Sequence, residues 1–200
     1  VDPLQWAPYA ASMESATGVP QRGYSVTLPP FASGDPDRDN AGYTPDPQLL
    51  GLLNVRYLAA DFDLTGDDLL YLRRFGATRL YENQAALPRA WVQPLDSPLG
   101  EEAAPVQEVT WAPNRVTLRA RGPGLLVLAE LAYPGWRVNV DGHPATLDSD
   151  ADPLRAVALP AGEHQVTFLF RPLSVYLGLG LFVLGVIGLT LWTRSSPRRR

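Results

Sequence analysis

The 200-residue chain contains neither cysteine nor lysine, and only two histidines. Without cysteine it can form no disulfide, no thiolate zinc site and no thiol nucleophile, so it must be held together by its core. About 170 residues ahead of the C-terminal apolar run are enough for one or two such cores. Without lysine there is no amine nucleophile, and every one of the 17 basic residues is an arginine. His143 and His164 each stand beside a turn, with no second histidine at ligand spacing, which argues against a zinc site. No serine sits in a nucleophile motif and no glycine-rich phosphate loop occurs. The carboxylates are numerous, but spacing alone pairs no two of them across a cleft. No catalytic residue, metal or cofactor is therefore assigned.

Charge is missing altogether from residues 172–193, and this absence is the most informative feature of the chain. A helix rises about 1.5 Å per residue and a bilayer core is about 30 Å thick, so a span needs roughly 20 apolar residues. Residues 172–193 supply that length and predict a transmembrane helix. Tyr176 and Trp192 are amphipathic rings suited to the two headgroup levels. Arg194 and Arg198 open and continue a basic tail, 194–200, that marks the cytoplasmic side. A core helix of a soluble protein can also be apolar all round, but rarely reaches this length and then stops on four arginines. Gly178, Gly185 and Gly188 fall near one face, where another membrane helix could approach.

The expected partner is thus a lipid bilayer, with residues 1–171 outside the cytoplasm. Setting aside Arg194, Arg198, Arg199 and Arg200 leaves 13 basic against 21 acidic residues, a net of −8 for the outer portion. Such an acidic domain does not suit nucleic acid. The chain opens on Val1-Asp2-Pro3, without an initiator Met or an export signal. The expectation is a C-terminal piece of a longer polypeptide, translocated by a signal peptide or by upstream membrane helices. A tail-anchored protein is the rival, and would place four arginines outward.

Residues 1–47 are rich in Pro, Gly, Asp and Ser, and predict an irregular segment. Residues 48–104 predict a small α/β layer: a short helix at 47–54, a buried strand at 55–60, a helix at 69–75 behind Gly66-Asp67-Asp68, and strands at 78–81 and 90–93. From 105 to 171 the apolar period is two. Strands are expected at 106–111, 115–121, 125–132, 136–140, 145–147, 154–159 and 165–170, separated by turns such as Gly122-Pro123-Gly124 and Asp141-Gly142. Val166, Phe168 and Phe170 should face the core. The fold class is mainly β with a small α/β part: an antiparallel β-sandwich outer domain followed by one C-terminal transmembrane helix.

Two motifs imitate known sites. Asp35, Asp37, Asp39 and Asp46 have the spacing of a calcium loop, but Asn40 stands where its glycine belongs and Pro36 stiffens it. Asp148, Asp150 and Asp152 repeat the pattern with Leu159 in the closing position. Both read as surface loops. Leu159-Pro160-Ala161-Gly162-Glu163 resembles a sortase signal that lacks its threonine, and reads as a tight turn.

Five segments occur in series: Leu49-Leu50-Gly51-Leu52-Leu53-Asn54-Val55-Arg56-Tyr57-Leu58; Leu80-Tyr81-Glu82-Asn83 with Ala86-Leu87-Pro88-Arg89-Ala90; Tyr133-Pro134-Gly135-Trp136 with Val140-Asp141-Gly142; Leu154-Arg155-Ala156-Val157 with Leu159-Pro160-Ala161-Gly162-Glu163-His164; and Phe168-Leu169-Phe170-Arg171-Pro172. Together they resemble the C-terminal end of the YfhO-type bacterial membrane proteins. Those proteins resemble the GT-C class of polytopic glycosyltransferases, which move a sugar from a polyprenyl-phosphate carrier to a cell-envelope polymer. In that class the catalytic acids lie in an early outer loop, so the resemblance carries none onto this chain. It implies an outer accessory domain and the last helix of a multi-pass protein of the bacterial cell membrane. The partners it implies are upstream membrane helices and an envelope glycan or polyprenyl-phosphate sugar. Arg89, Trp136 and Arg155 are the candidate substrate-binding residues, since an aromatic face suits a sugar and a guanidinium fork suits a phosphate. A single-pass anchored carbohydrate-binding or adhesion module, or a structural assembly domain, would account for the same residues.

Overall fold

The computed structural model describes residues 6–20, 33, 35–106 and 108–195. Its first element contradicts the irregular segment expected for 1–47: α1 (Ala7–Thr17) is a regular helix. It carries no apolar stripe, and so leaves no periodic signal. The signal that does exist is positional, with Pro8 in the first turn and Gly18 just past the end. Gly18 is left-handed at φ 72°, and its N–H donates to Glu14 O at 2.8 Å. After a single turn, α2 (Pro36–Asp39), comes α3 (Pro47–Leu52). The calcium-loop imitation divides between two local tasks. Asp39 accepts from the Ser33 N–H at 2.7 Å, and Asp46 is the N-cap of α3, accepting from the N–H groups of Gln48 and Leu49.

Three antiparallel strands follow, β1 (Tyr57–Ala60), β2 (Leu69–Phe75) and β3 (Thr78–Asn83), in the order β1-β3-β2. The helix expected at 69–75 is therefore wrong. Gly76, at φ 61°, closes a two-residue turn that folds Phe75 against Thr78, and the run pairs with β3 as far as Leu69 opposite Asn83. Tyr71 meets Tyr81 edge-on across the ladder at 5.7 Å. Aromatic cross-strand pairing outweighed the charge placement that imitated a helix. The strand at 55–60 is not buried either, because β1 lies at the sheet edge with alternate residues exposed.

The remaining strands are β4 (Ala90–Gln93), β5 (Ala104–Pro105), β6 (Glu108–Ala112), β7 (Arg115–Leu131), β8 (Trp136–Val140), β9 (His143–Ala145) and β10 (Leu154–Phe170). They form one antiparallel sheet, β5-β4-β7-β10-β8-β9, with β6 also paired to β7. β4 joins this sheet rather than the small layer in which it was expected, and β5, which was not expected as a strand, pairs with it there. The strands expected at 115–121 and 125–132 are one strand, β7, and those at 154–159 and 165–170 are one strand, β10.

Gly122-Pro123-Gly124 and Pro160-Ala161-Gly162 are thus not hairpin turns. They stand opposite each other, Gly162 across from Gly122 and Leu159 across from Gly124, where the register shifts. The two long strands bend together there, folding the sheet so that its halves face each other. Val116, Leu118, Ala120, Val166 and Phe168 of one half pack against Leu126, Leu128, Val157 and Leu159 of the other in one core. As expected, Val166 and Phe168 are fully buried, and Phe170 is half-buried at the sandwich end.

The bend requires backbones to touch. A Cβ added to Gly122 would lie 2.0 Å from Pro160 O, a contact that no side-chain rotation can relieve. Gly122→Ala is expected to cost about 1–3 kcal/mol, as overpacking does. Gly42→Ala, where nothing lies within 4 Å, should change the melting temperature little. Equal thermal melts for the two variants would refute a contact-limited bend.

The outer face of the second half is also covered. Trp91, Leu125, Val127, Leu154 and Ala156 pack beneath Leu52, Leu53, Leu87 and Leu99. Residues 125–128 are consequently buried on both faces, which explains their unbroken apolar run. Asn83 ties the layers, donating from Nδ2 to Pro47 O and Val55 O and accepting the Ala85 N–H. The chain ends in α4 (Leu173–Ser195), whose stretch Leu173–Trp192 is long and apolar enough to cross a membrane and is wholly exposed. Tyr176 and Trp192 project from it into the open. Arg194 lies within its last turn, and Arg198 lies outside the described residues.

Candidate functional site

Folding β7 and β10 at their centres brings both ends of each strand to one end of the sandwich. Leu154 is opposite Leu131 there, and Leu169 is opposite Arg115. Phe170 pairs with Trp136, whose strand begins at the turn Tyr133-Pro134-Gly135. Gly135, at φ 114°, accepts the Arg171 N–H at 2.7 Å, and a Cβ on it would meet Pro172 Cα at 2.9 Å. The root of α4 is therefore packed against the sandwich rather than joined by a loose linker.

At this end the structure brings Arg89, Trp136 and Arg155 together around a residue that sequence reasoning missed, Glu130. The Glu130 carboxylate accepts from Arg155 Nη2 at 2.6 Å through one oxygen and from Arg89 Nη2 through the other. Arg155 Nε donates to Leu131 O at 3.0 Å, and its guanidinium lies 3.4 Å from the centroid of the Trp136 ring. Trp136 in turn touches the Phe170 ring, with centroids 5.2 Å apart. On the other flank, the guanidinium of Arg89 sits over Trp111 at 4.1 Å.

Arg155 is only 4% exposed. Burial lowers its pKa, the neighbouring Glu130 carboxylate raises it again through charge and hydrogen bond, and Arg89 opposes it. It remains a guanidinium. Its Nη1 makes no hydrogen bond. The stack closes the sandwich end, and one face of Trp136 is taken by Arg155. The groups of this constellation that reach the surface are Arg89, whose side chain is 57% exposed, and Trp111, at 43%.

Glu130 and Trp111 carried only a faint sequence signal. Glu130 continues the inward row of Leu126 and Leu128, and Arg155 precedes the inward row of Val157 and Leu159. Opposite charges thus stand at inward positions of paired strands, but the register that aligns them is not written in either strand alone.

At the Asp141-Gly142 turn, a two-residue hairpin that joins Val140 to His143, His164 Nδ1 lies 2.7 Å from Asp141 Oδ2. The other carboxylate oxygen of Asp141 accepts the Gln165 N–H at 2.8 Å. The hydrogen bond to the carboxylate raises the His164 pKa above its ordinary 6.5, and the bonds to His164 and Gln165 lower that of Asp141 below 3.8. The raised histidine contributes stability that is complete below about pH 6.5 and is lost as pH rises through its folded value. The lowered carboxylate contributes stability that is complete above about pH 3.8 and is lost as pH falls through its folded value. The contribution of this pair to the melting temperature should be greatest between these limits and decline on the alkaline side, and His164→Gln should remove that part of any alkaline fall. An unchanged alkaline profile in the variant would refute the pair as its cause.

Among the described residues no group of three or more potential metal ligands occurs. Fold and site define a class: an antiparallel β-sandwich with an arginine- and tryptophan-lined end, followed directly by one helix able to cross a membrane. No known family, curated protein or solved structure matches the chain.

Proposed function

We propose that residues 172–193 span a bacterial cell membrane with residues 1–171 outside and the arginine tail in the cytoplasm. In this reading the chain is the accessory outer domain and last helix of a YfhO-like polytopic glycosyltransferase that uses lipid-linked sugar to build cell-envelope glycans. The observation that supports it is the position of the Arg89–Glu130–Arg155–Trp136 stack at the end of the sandwich from which α4 leaves. A polyprenyl-phosphate sugar presents its phosphate and sugar at that level. Arg89 and Trp111 are the exposed groups that would meet them, a fork for phosphate and a ring for sugar. Upstream helices supply the chemistry, and this domain shapes the mouth of their site.

The test is sugar transfer by the full-length parent. Arg89→Ala with Trp111→Ala should lower kcat/KM about tenfold, equivalent to ~1.4 kcal/mol, in a protein whose melting temperature is little changed. Full activity in both this variant and a parent lacking residues 1–171 would overturn the reading. Glycan binding by a chain that follows a signal peptide alone would favour the anchored carbohydrate-binding module instead. Cysteines introduced at 141 and 198 test the orientation, because an impermeant thiol reagent on intact cells should label only the first.

A further inference from the structure

The arginines of the outer domain divide by position. Arg56, Arg79, Arg119 and Arg121 are paired with Glu82, Asp63, Glu108 and Glu163, and Arg89 and Arg155 share Glu130. Arg73 and Arg74 of β2 are also exposed and outside these pairs, but one lies over the Phe75 ring and the other donates to Gly76 O. Arg115, Arg137 and Arg171 are exposed, and none is in an ion pair among the described residues. These three stand together. Leu169 of β10 is flanked by Arg115 of β7 on one side and Arg137 of β8 on the other, so the three side chains share the outer face of the sheet. Arg171 is two residues beyond Leu169. Arg137, Leu169 and Arg171 line one open groove of about 540 Å³, with Trp136, Asn139 and Thr146 along its sides.

The groove lies at the root of α4, and this reasoning rests on the reading of α4 as a membrane span. Leu173–Trp192 comprises 20 residues. At about 1.5 Å per residue these cover the roughly 30 Å of a bilayer core, which puts Leu173 at the core boundary. The headgroup layer adds about 5–7 Å on each side. Two extended residues reach about 7 Å, so Arg171 falls inside that layer, and Pro172 packed against Gly135 holds the sheet end close to it. An outer portion that is net acidic thus places these three guanidinium groups, in no ion pair, near the level of lipid phosphates. Guanidinium forks bind phosphate oxygens in pairs, as a lysine ammonium does not.

We infer that the groove between Arg137 and Arg171, flanked by Arg115, is a binding site for the phosphate of a membrane lipid, which seats the sandwich on the bilayer.

The full chain, purified in a neutral detergent, can be titrated with dioctanoyl phosphatidic acid, dioctanoylglycerol or inorganic phosphate, and bound ligand counted by native mass spectrometry. One phosphatidic acid per chain should be retained, with little dioctanoylglycerol. Arg137→Gln with Arg171→Gln should weaken retention about tenfold or more, as loss of charge-assisted bonds does. Arg119→Gln with Arg121→Gln, which touches only exposed ion pairs on the arm leading to the bend, should leave it unchanged. Circular dichroism establishes that each variant is folded. Equal retention by the Arg137/Arg171 variant overturns the site, as does equal affinity for inorganic phosphate or for dioctanoylglycerol. Flotation with carbonate-washed vesicles separates the two readings. A chain that leaves the vesicles refutes both the span and the site, whereas one that stays while the variant binds normally refutes the site alone.

Discussion

Glu130→Gln is expected to destabilise the outer domain by about 3–5 kcal/mol, the cost of removing one partner from a buried ion pair. The variant keeps the shape of the side chain and removes its charge. Arg155, 5% exposed at the side chain, would then be left as a buried guanidinium with no countercharge, compensated by neutral groups alone: the amide oxygen at position 130, Leu131 O and the Trp136 ring. Arg89→Ala removes the outer pair instead. Because that guanidinium is more than half exposed, solvent screens it, and the loss should stay within about 1 kcal/mol. Melting of the full chain in detergent, followed by near-UV circular dichroism of the tryptophans, measures both. For an outer portion of this size the first change corresponds to a fall of roughly 6–20 °C. Similar shifts for Glu130→Gln and Arg89→Ala would show that Glu130 is not holding a buried charge.

The other large effect belongs to the core. Phe168→Ala should cost about 3–5 kcal/mol, the sum of lost transfer energy and the cavity left behind. Phe168 is fully buried between the two halves of the folded sheet, among Val116, Leu118, Val138 and Val166. Thr167, one residue earlier, points to the opposite face and is part-exposed, so Thr167→Ala should cost less than about 0.5 kcal/mol. The pair of variants tests the folded-sheet core directly. A single flat sheet would leave Phe168 uncovered and make the two changes comparable.

Both sites show which kind of information a linear reading can use. Phe168 was legible because alternation with period two is local: Val166, Phe168 and Phe170 declare their common face without reference to any other strand. The Asp141-Gly142 hairpin was legible for the same reason, since the left-handed conformations at φ 52° and 81° are a property of those two residues. The cluster around Glu130 was only half legible. Arg89, Trp136 and Arg155 stood out by chemical type, but the carboxylate that joins them is 25 residues from Arg155 and 41 from Arg89. The errors had local causes as well. Acids before 69–75 and arginines within it resemble a capped helix, yet β3 supplies a ladder that the run joins instead. Pro and Gly at 122–124 and 160–162 look like turns, yet each is the corner of a continuing strand.

The sequence by itself determined the apolar C-terminal helix, the basic tail behind it, the alternating strands from 105 to 171 and the two-residue hairpin. Each of these follows from charge, length or period within one segment. Only the tertiary structure decided that β7 and β10 run unbroken through their glycines, that β4 belongs to the larger sheet, and that Glu130 lies between two arginines. It also decided that Arg115 and Arg137 flank Leu169, two residues before Arg171 at the root of α4. These outcomes depend on register and on backbone approach between segments far apart in the chain. The 2.0 Å that a Cβ on Gly122 would leave to Pro160 O is a distance between two strands, and no property of either strand alone contains it.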